Sequence, residues 1–203
     1  MKKRIYRTMP VNAFHACTVR SEDIGARLVV AVDVAKVDMV AAFAAADGRV
    51  LTTVRWKAPT ENLAVLAILR HFRAAEVPVE VVMEPSGTYG DVLRHQLLAD
   101  GFPVFMVSGK RTFDAKEVYD GVPSLHDAKS AAIIARLHLD GISKPFRPLS
   151  PDRRQLRAAF AVMDLHQQRY LQLLGQLESW LARHWPGRPV QPFHPLTVGS
   201  TAV

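Results

Sequence analysis

The sequence predicts an α/β protein: a mixed sheet built in the order β-β-β-α-β-α-β, followed by a long helical arm. Three observations carry that expectation. Three β-rich runs follow one another between Leu28 and Trp56 with no helical period between them. Two later β-branched runs, Val79 to Met83 and Val104 to Val107, are each preceded by apolar residues at helical spacing. After a cluster of prolines, a long proline-free run repeats apolar residues at intervals of three, four and seven.

Residues 1–25 begin with Lys2, Lys3 and Arg4 and show no sustained period, so they are expected to form a flexible basic arm. The main domain is expected over residues 26–143. Leu28-Val-Val-Ala-Val-Asp33 is a continuous apolar run, the pattern of a strand buried on both faces. Val37 to Ala46 predicts a second strand, Asp47-Gly48 a hairpin turn, and Val50 to Trp56 a third strand. Thr60 is placed to cap a helix carrying Leu63, Leu66, Ile68, Leu69 and Phe72, which Pro78 ends. Val79 to Met83 then runs into Glu84-Pro85, so a strand ends on an acid for the second time.

Ser86-Gly87-Thr88 turns into a helix with Val92, Leu93, Leu97 and Leu98, closed by Asp100-Gly101, and the fifth strand follows. Lys110 to Leu125 gives a mixed pattern, read as a loop with a short helix. From Asp127 a helix is clear, with Ala131, Ile134, Ala135 and His138 on one side. Pro145, Pro148 and Pro151 predict a linker over residues 144–152. Leu156, Phe160, Met163, Tyr170, Leu174, Leu177 and Leu181 predict one amphipathic helix over 153–185, which either pairs as a coiled coil or folds back on the main domain. Residues 186–203 turn to Pro, Gly and small residues and are expected to be disordered.

Composition bounds the function. Hydrophobic residues at 49% and charged residues at 22% suit a globular chain, and 203 residues allow one main domain with an appendage. A single cysteine, Cys17, rules out an internal disulfide and fits a reducing cytoplasm. Arg7, Pro10, Asn12 and His15 interrupt any signal-like stretch. The most apolar run, Met39 to Ala46, falls far short of the roughly 20 residues a membrane span needs, so no membrane association is expected. The net charge of +7 favours a polyanionic partner, because Lys and Arg displace the counterions that phosphates hold. Residues 144–188 hold Lys144, Arg147, Arg153, Arg154, Arg157, Arg169, Arg183 and Arg188 against Asp152, Asp164 and Glu178, five of those seven charges.

Magnesium-dependent phosphodiester cleavage requires carboxylates that converge, since two hard cations about 4 Å apart clamp the attacking and leaving oxygens. In a sheet that opens β-β-β-α-β, the first and fourth strands lie side by side and parallel, so acids at their C-terminal ends are neighbours. Asp33 and Glu84 stand at those ends, where open α/β sheets bind ligands. Asp127 opens the helix after the fifth strand and is placed to supply a third carboxylate. Each acid alone has an ordinary structural role: a turn residue at Asp33, an arginine partner at Glu84, a helix cap at Asp127. Together they occupy the positions this chemistry needs, in an RNase H-like topology.

Val32-Asp33-Val34-Ala35-Lys36, Glu84-Pro85-Ser86-Gly87-Thr88-Tyr89 and His126-Asp127-Ala128-Lys129-Ser130-Ala131 resemble the motifs of insertion-sequence transposases with a DEDD, RuvC-like domain. This group comprises the Piv invertase relatives of the IS-one-ten type, some of which use a bridge RNA. The resemblance runs from about Arg27 to Trp185. It implies a recombinase acting on DNA, with Asp33, Glu84 and Asp127 as magnesium ligands, a helical arm, and a second domain bearing a serine nucleophile. Two departures stand out. The fourth acid of the family lies three residues after the third, and here that place is Ser130, with Asp120 of the preceding segment as a substitute. No serine domain follows the arm within these 203 residues, so the expectation is a shortened enzyme that has lost strand exchange.

Lys36, Lys110, Arg111 and Lys129 flank the acids, and Arg153, Arg154 and Arg157 open the arm; all are candidates for phosphate contact, with solvated surface charge as the plain alternative. Tyr89 is placed to stack on a base or to pack structurally. His126 beside Asp127 is not expected to act. Trp56, Trp180 and Trp185 are read as packing residues, and no Walker loop, GxGxxG or Cys/His zinc pattern is present. The expected function is metal-dependent DNA cleavage and transfer, with a homo-oligomer formed through the arm. The alternatives are a non-catalytic basic nucleic-acid-binding or dimerising module of the same fold, and a phosphate-transferring ATPase of related strand order.

Overall fold

The computed structural model describes residues 8–85, 87–120 and 127–185, the side chains of 116–120 excepted. Among them, one sheet comprises β1 (Thr8–Pro10), β2 (Leu28–Asp33), β3 (Asp38–Ala44), β4 (Val50–Lys57), β5 (Val79–Met83), β6 (Val104–Met106) and β7 (Lys144–Pro145). Its order is β1-β4-β3-β2-β5-β6-β7. The helices are α1 (Ser21–Ile24), α2 (Asn62–Ala74), α3 (Asp91–Ala99), α4 (Gly109–Asp120), α5 (Asp127–Leu139) and α6 (Pro151–His184).

β2, β3 and β4 form an antiparallel meander, whereas β5 and β6 are added parallel to β2. The meander follows from the first hairpin. Gly48 takes φ +89°, and the Asp47 side chain accepts a hydrogen bond from the Arg49 backbone N–H at 2.9 Å, closing the turn. The central five strands therefore stand in the RNase H-like order that the sequence predicts.

Alternation along β2 divides the core in two. Leu28, Val30 and Val32 face the layer that holds Leu66, Leu69 and Phe72 of α2 and Leu93 and Leu97 of α3. Val29 and Ala31, with Val82 of β5, face Ile133, Ile134 and Leu137 of α5. Covered on both sides, β2 needs no polar alternation, which is why its sequence reads as an unbroken apolar run.

Four expectations need correction. Residues 8–24 are not a loose arm: β1 pairs parallel with β4, and Val11, Phe14 and Ile24 are buried, with the Phe14 ring 5.3 Å from that of Phe43. Such anchors at irregular spacing leave no period to read; residues 1–7 lie outside the described set. In the mixed stretch Lys110 to Leu125, residues 110–120 belong to a twelve-residue helix, α4, where a loop with a short helix is expected; residues 121–125 lie outside the described set. Lys144–Pro145 of the proposed linker is an edge strand, a place where proline costs no ladder hydrogen bond, and Phe146 N–H donates to Val104 at 2.7 Å. Thr60 does not cap α2; its hydroxyl bonds the Lys57 carbonyl at 3.2 Å, and the Glu61 carboxylate accepts from Lys57 N–H at 2.8 Å.

Residues 147–185 form a second unit, consisting of an extended lead and α6. The helix begins at Pro151, with the Ser150 hydroxyl accepting from Arg153 N–H at 3.4 Å. Its 34 residues run about 50 Å at 1.5 Å per residue. None of them is buried, and Leu156, Phe160, Met163, Tyr170 and Leu177 are exposed. At its end the Trp180 ring packs edge-on at 5.8 Å from Trp185. The stretch from residue 186 onward lies outside the described residues.

Candidate metal centre

β2 and β5 run parallel with Val32 opposite Met83, so the next residue on each strand's path, Asp33 as the last of β2 and Glu84 just past β5, stands at the same edge. Parity sets their direction. Asp33 follows Val29 and Ala31 at steps of two, and Glu84 follows Glu80 and Val82, so both carboxylates stand on the face that α5 covers. Each is half-buried.

α5 is anchored at its far end. His138 Nε2 lies 2.8 Å from Glu80 Oε2, and His138 Nδ1 lies 2.6 Å from the Ser143 hydroxyl. Eleven residues back along the helix, about 16 Å at 1.5 Å each, stands Asp127. Glu84 lies four residues beyond Glu80, about 13 Å along the strand. Asp127 therefore reaches the edge where Asp33 and Glu84 end. Packing agrees: Ala128 clusters with Val40, the residue paired with Asp33 across β3. Asp127 is exposed, and it continues the stripe of Ser130, Ala131 and Ile134, which are buried against the sheet.

Asp33 and Glu84 thus share one edge and one face, and Asp127 opens the helix laid over that face. The three do not form a closed cluster: among the described residues, no group of three His, Cys, Asp or Glu side chains is close enough to hold a metal. Asp33 takes part in an interaction of its own. Two half-buried carboxylates on neighbouring strand ends are hard oxygen donors of the kind magnesium takes, so the donor set fits such an ion, with Asp127 available from the helix.

The flanking residues divide. Lys36 is exposed in the turn after Asp33, Tyr89 is exposed before α3, and Lys110 and Arg111 are exposed in the first turn of α4. Lys129 is a correction: it is 1% exposed and engaged inside the protein, so it offers no free ammonium to a phosphate. It lies in a stretch of α5, positions 128–131, that is buried throughout, with Ala128 and Ala131 packed on Val40 and Ala42 of β3. Ser130 is buried as well. Arg153, Arg154 and Arg157 are exposed on the first turns of α6. Ser86, His126 and the side chain of Asp120 lie outside the described residues.

Sequence reading missed Gly109, which faces Glu84. A Cβ on Gly109 would lie 2.6 Å from Glu84 Oε1 and 3.3 Å from its Cδ. It also missed the bond from His138 to Glu80, because one histidine on a helical stripe and one glutamate in a strand become partners only once the helix is laid on the sheet.

This is an RNase H-like α/β protein with carboxylates gathered at the ends of two adjacent parallel strands. Residues 30–186 match the family model of the IS110-type DEDD transposases, described as Transposase, and the chain belongs to that family. No curated protein matches the sequence. Among solved structures, RuvC of T. thermophilus in complex with a Holliday junction substrate is similar with a TM-score of 0.43 and 16% identity, over 59% of this chain and 99% of that one. Thermus thermophilus RuvC is similar at 0.39 and 15%, over 59% and 100%. A ROK family transcriptional regulator, a homolog of the E. coli MLC protein, is similar at 0.34 and 13%, over 46% and 31%.

Proposed function

We propose that this chain is the nuclease part of a DNA transposase, in which Asp33, Glu84 and Asp127 hold magnesium for cleavage of a phosphodiester strand. The observation that carries the reading is the placement of Asp33 and Glu84 at one edge and on one face, beside the helix that Asp127 opens. A bound magnesium ion would supply Lewis-acid polarisation of the phosphoryl oxygen and stabilise the leaving oxygen. The chain's own residues do the rest. The two strand ends hold their carboxylates in register, α5 brings a third acid from the side, and the apolar residues beneath keep water from the back of the site.

DNA is the proposed substrate. Lys36, Lys110 and Arg111 lie exposed on turns at or near the acid edge, and Tyr89 offers an exposed ring before α3. Arg153, Arg154 and Arg157 add phosphate contacts from α6, and a bridge RNA would meet the same basic chemistry. The arm is proposed to pair with a second copy. Phe160, Gln167, Leu174 and Leu181 alternate with Leu156, Met163, Tyr170 and Leu177 at steps of four and three, the spacing of a coiled-coil seam.

The test is cleavage of nicked or branched DNA by the purified chain in magnesium. Asp33→Ala, Glu84→Ala and Asp127→Ala are each expected to abolish it, and activity indifferent to all three would overturn the metal site. A second reading, a basic DNA-binding module without catalysis, draws on Ser130 at the family's fourth acid and on the open arrangement of the three acids. It predicts DNA binding that falls steeply with salt and ignores magnesium.

A further inference from the structure

Gly109 opens α4, and its backbone gives no reason for a glycine. Unlike Gly48, Gly87 or Gly101, it does not take a positive φ. Nor does it stand at the helix cap: Thr112 N–H already donates to Ser108 at 3.1 Å, so Ser108 precedes the first turn and Gly109 lies within it. Glycine is a poor helix former, so its use there calls for a cause other than conformation.

The cause is the side chain opposite. A Cβ built on Gly109 would lie 2.6 Å from Glu84 Oε1, 3.3 Å from Cδ and 3.6 Å from Cγ. The first distance is shorter than any real Cβ contact, and the second is tighter than most. Glu84 is half-buried and follows directly on β5, and the atom that meets the added Cβ is the end of its side chain, so the carboxylate is the part that has to move. The space left by the missing methyl is the space its carboxylate fills.

We infer that Gly109 is a positioning residue for the metal site: by lacking a side chain it lets the Glu84 carboxylate lie against the start of α4, on the face and edge it shares with Asp33. The inference rests on the proposed metal-binding role of Glu84. Gly109 itself contributes no ligand. Any side chain in its place drives the Glu84 carboxylate from its seat, while the helix, whose φ suits any residue, is unharmed.

The test compares Gly109→Ala, Glu84→Ala, the double variant and Asp33→Ala, with Mn2+ as the probe ion, its affinity read by electron paramagnetic resonance and Tm read without metal. Gly109→Ala is expected to weaken Mn2+ binding about tenfold or more, as disturbance of a ligand's supporting contacts does, with Tm near that of the parent. In the Glu84→Ala background the same change is expected to do nothing further, since it acts through Glu84 alone. If Gly109→Ala lowers Tm, the double variant is expected to restore it, because removing the carboxylate removes the clash. Parent-like Mn2+ affinity in Gly109→Ala, an equal loss in both backgrounds, or a Tm loss that the double variant keeps would each overturn the inference. Mn2+ binding untouched by Asp33→Ala and Glu84→Ala would overturn the metal reading itself, which separates the two failures.

Discussion

His138 of α5 and Glu80 of β5 meet with Nε2 2.8 Å from Oε2, and this bond joins the helix that begins at Asp127 to the strand that ends before Glu84. Arg27 approaches the same carboxylate at 3.4 Å. A carboxylate only accepts, so Nε2 carries a proton toward Glu80, while Nδ1 meets the Ser143 hydroxyl at 2.6 Å. The residue is 7% exposed, and its ring packs at a tilt with its centroid 4.7 Å from that of Phe105.

His138→Ala is expected to destabilise the fold by about 1–3 kcal/mol, the cost of leaving a partly buried polar partner unsatisfied, with packing loss added. Glu80→Gln retains an acceptor for the imidazole and is expected to cost less. Urea unfolding of the two variants measures the difference. A His138→Ala protein as stable as the parent would show that α5 is held by its apolar stripe alone.

Arg70 of α2 and Asp100 after α3 form a two-point pair at 2.7 and 2.9 Å. The hydrogen-bonded Arg70 guanidinium, aided by its charge, holds the Asp100 carboxyl below the usual carboxylate range, and Asp100 in turn raises Arg70. A carboxyl lowered in the folded state contributes stability above its unfolded pKa of about 3.9, lost as pH falls through the folded value. Arg70→Ala is therefore expected to lower Tm at neutral pH and to change it little once the pH is acidic enough to protonate Asp100. A Tm series across acid pH checks the convergence of the two curves.

Ser130 is 4% exposed, one helical turn after Asp127. Ser130→Asp takes a carboxylate out of water and is expected to lower Tm in EDTA. If Asp127 faces a metal, the new acid stands on the same stripe, and magnesium is expected to recover part of that loss and bind more tightly than in the parent. Thermal unfolding with EDTA and with magnesium decides, and a variant equally unstable in both would argue against a metal at this end of α5.

Leu174→Asp places a charge in the apolar seam of α6 and is expected to shift the chain from dimer to monomer. Gln167→Leu is expected to strengthen association while relaxing register, since a polar residue in such a seam costs stability and specifies alignment. Light scattering reads both, and a monomeric parent would remove the basis of each.

The strands and most helices were legible in the sequence because each has a period or a β-branched run bounded by turn residues, and the local patterns of Leu28 to Asp33 and Val79 to Met83 announce buried strands. The acids at their ends were legible for the same reason. What lacks a period was not: Val11, Phe14 and Ile24 anchor the N-terminal segment singly, and α4 opens on a glycine whose first turn is charged.

The sequence by itself determined that two short apolar strands end on carboxylates, that a third acid opens a helix, and that a long apolar seam follows. Only tertiary structure decided that Lys129 turns inward while Asp127 projects past the sheet, since the helix's rotation is set by packing Ala128 and Ala131 on Val40 and Ala42. Tertiary structure also made Gly109 the neighbour of Glu84, across a gap in sequence that no local pattern spans. A strand writes its burial into its own residues, but the place of a carboxylate depends on what a distant segment leaves open.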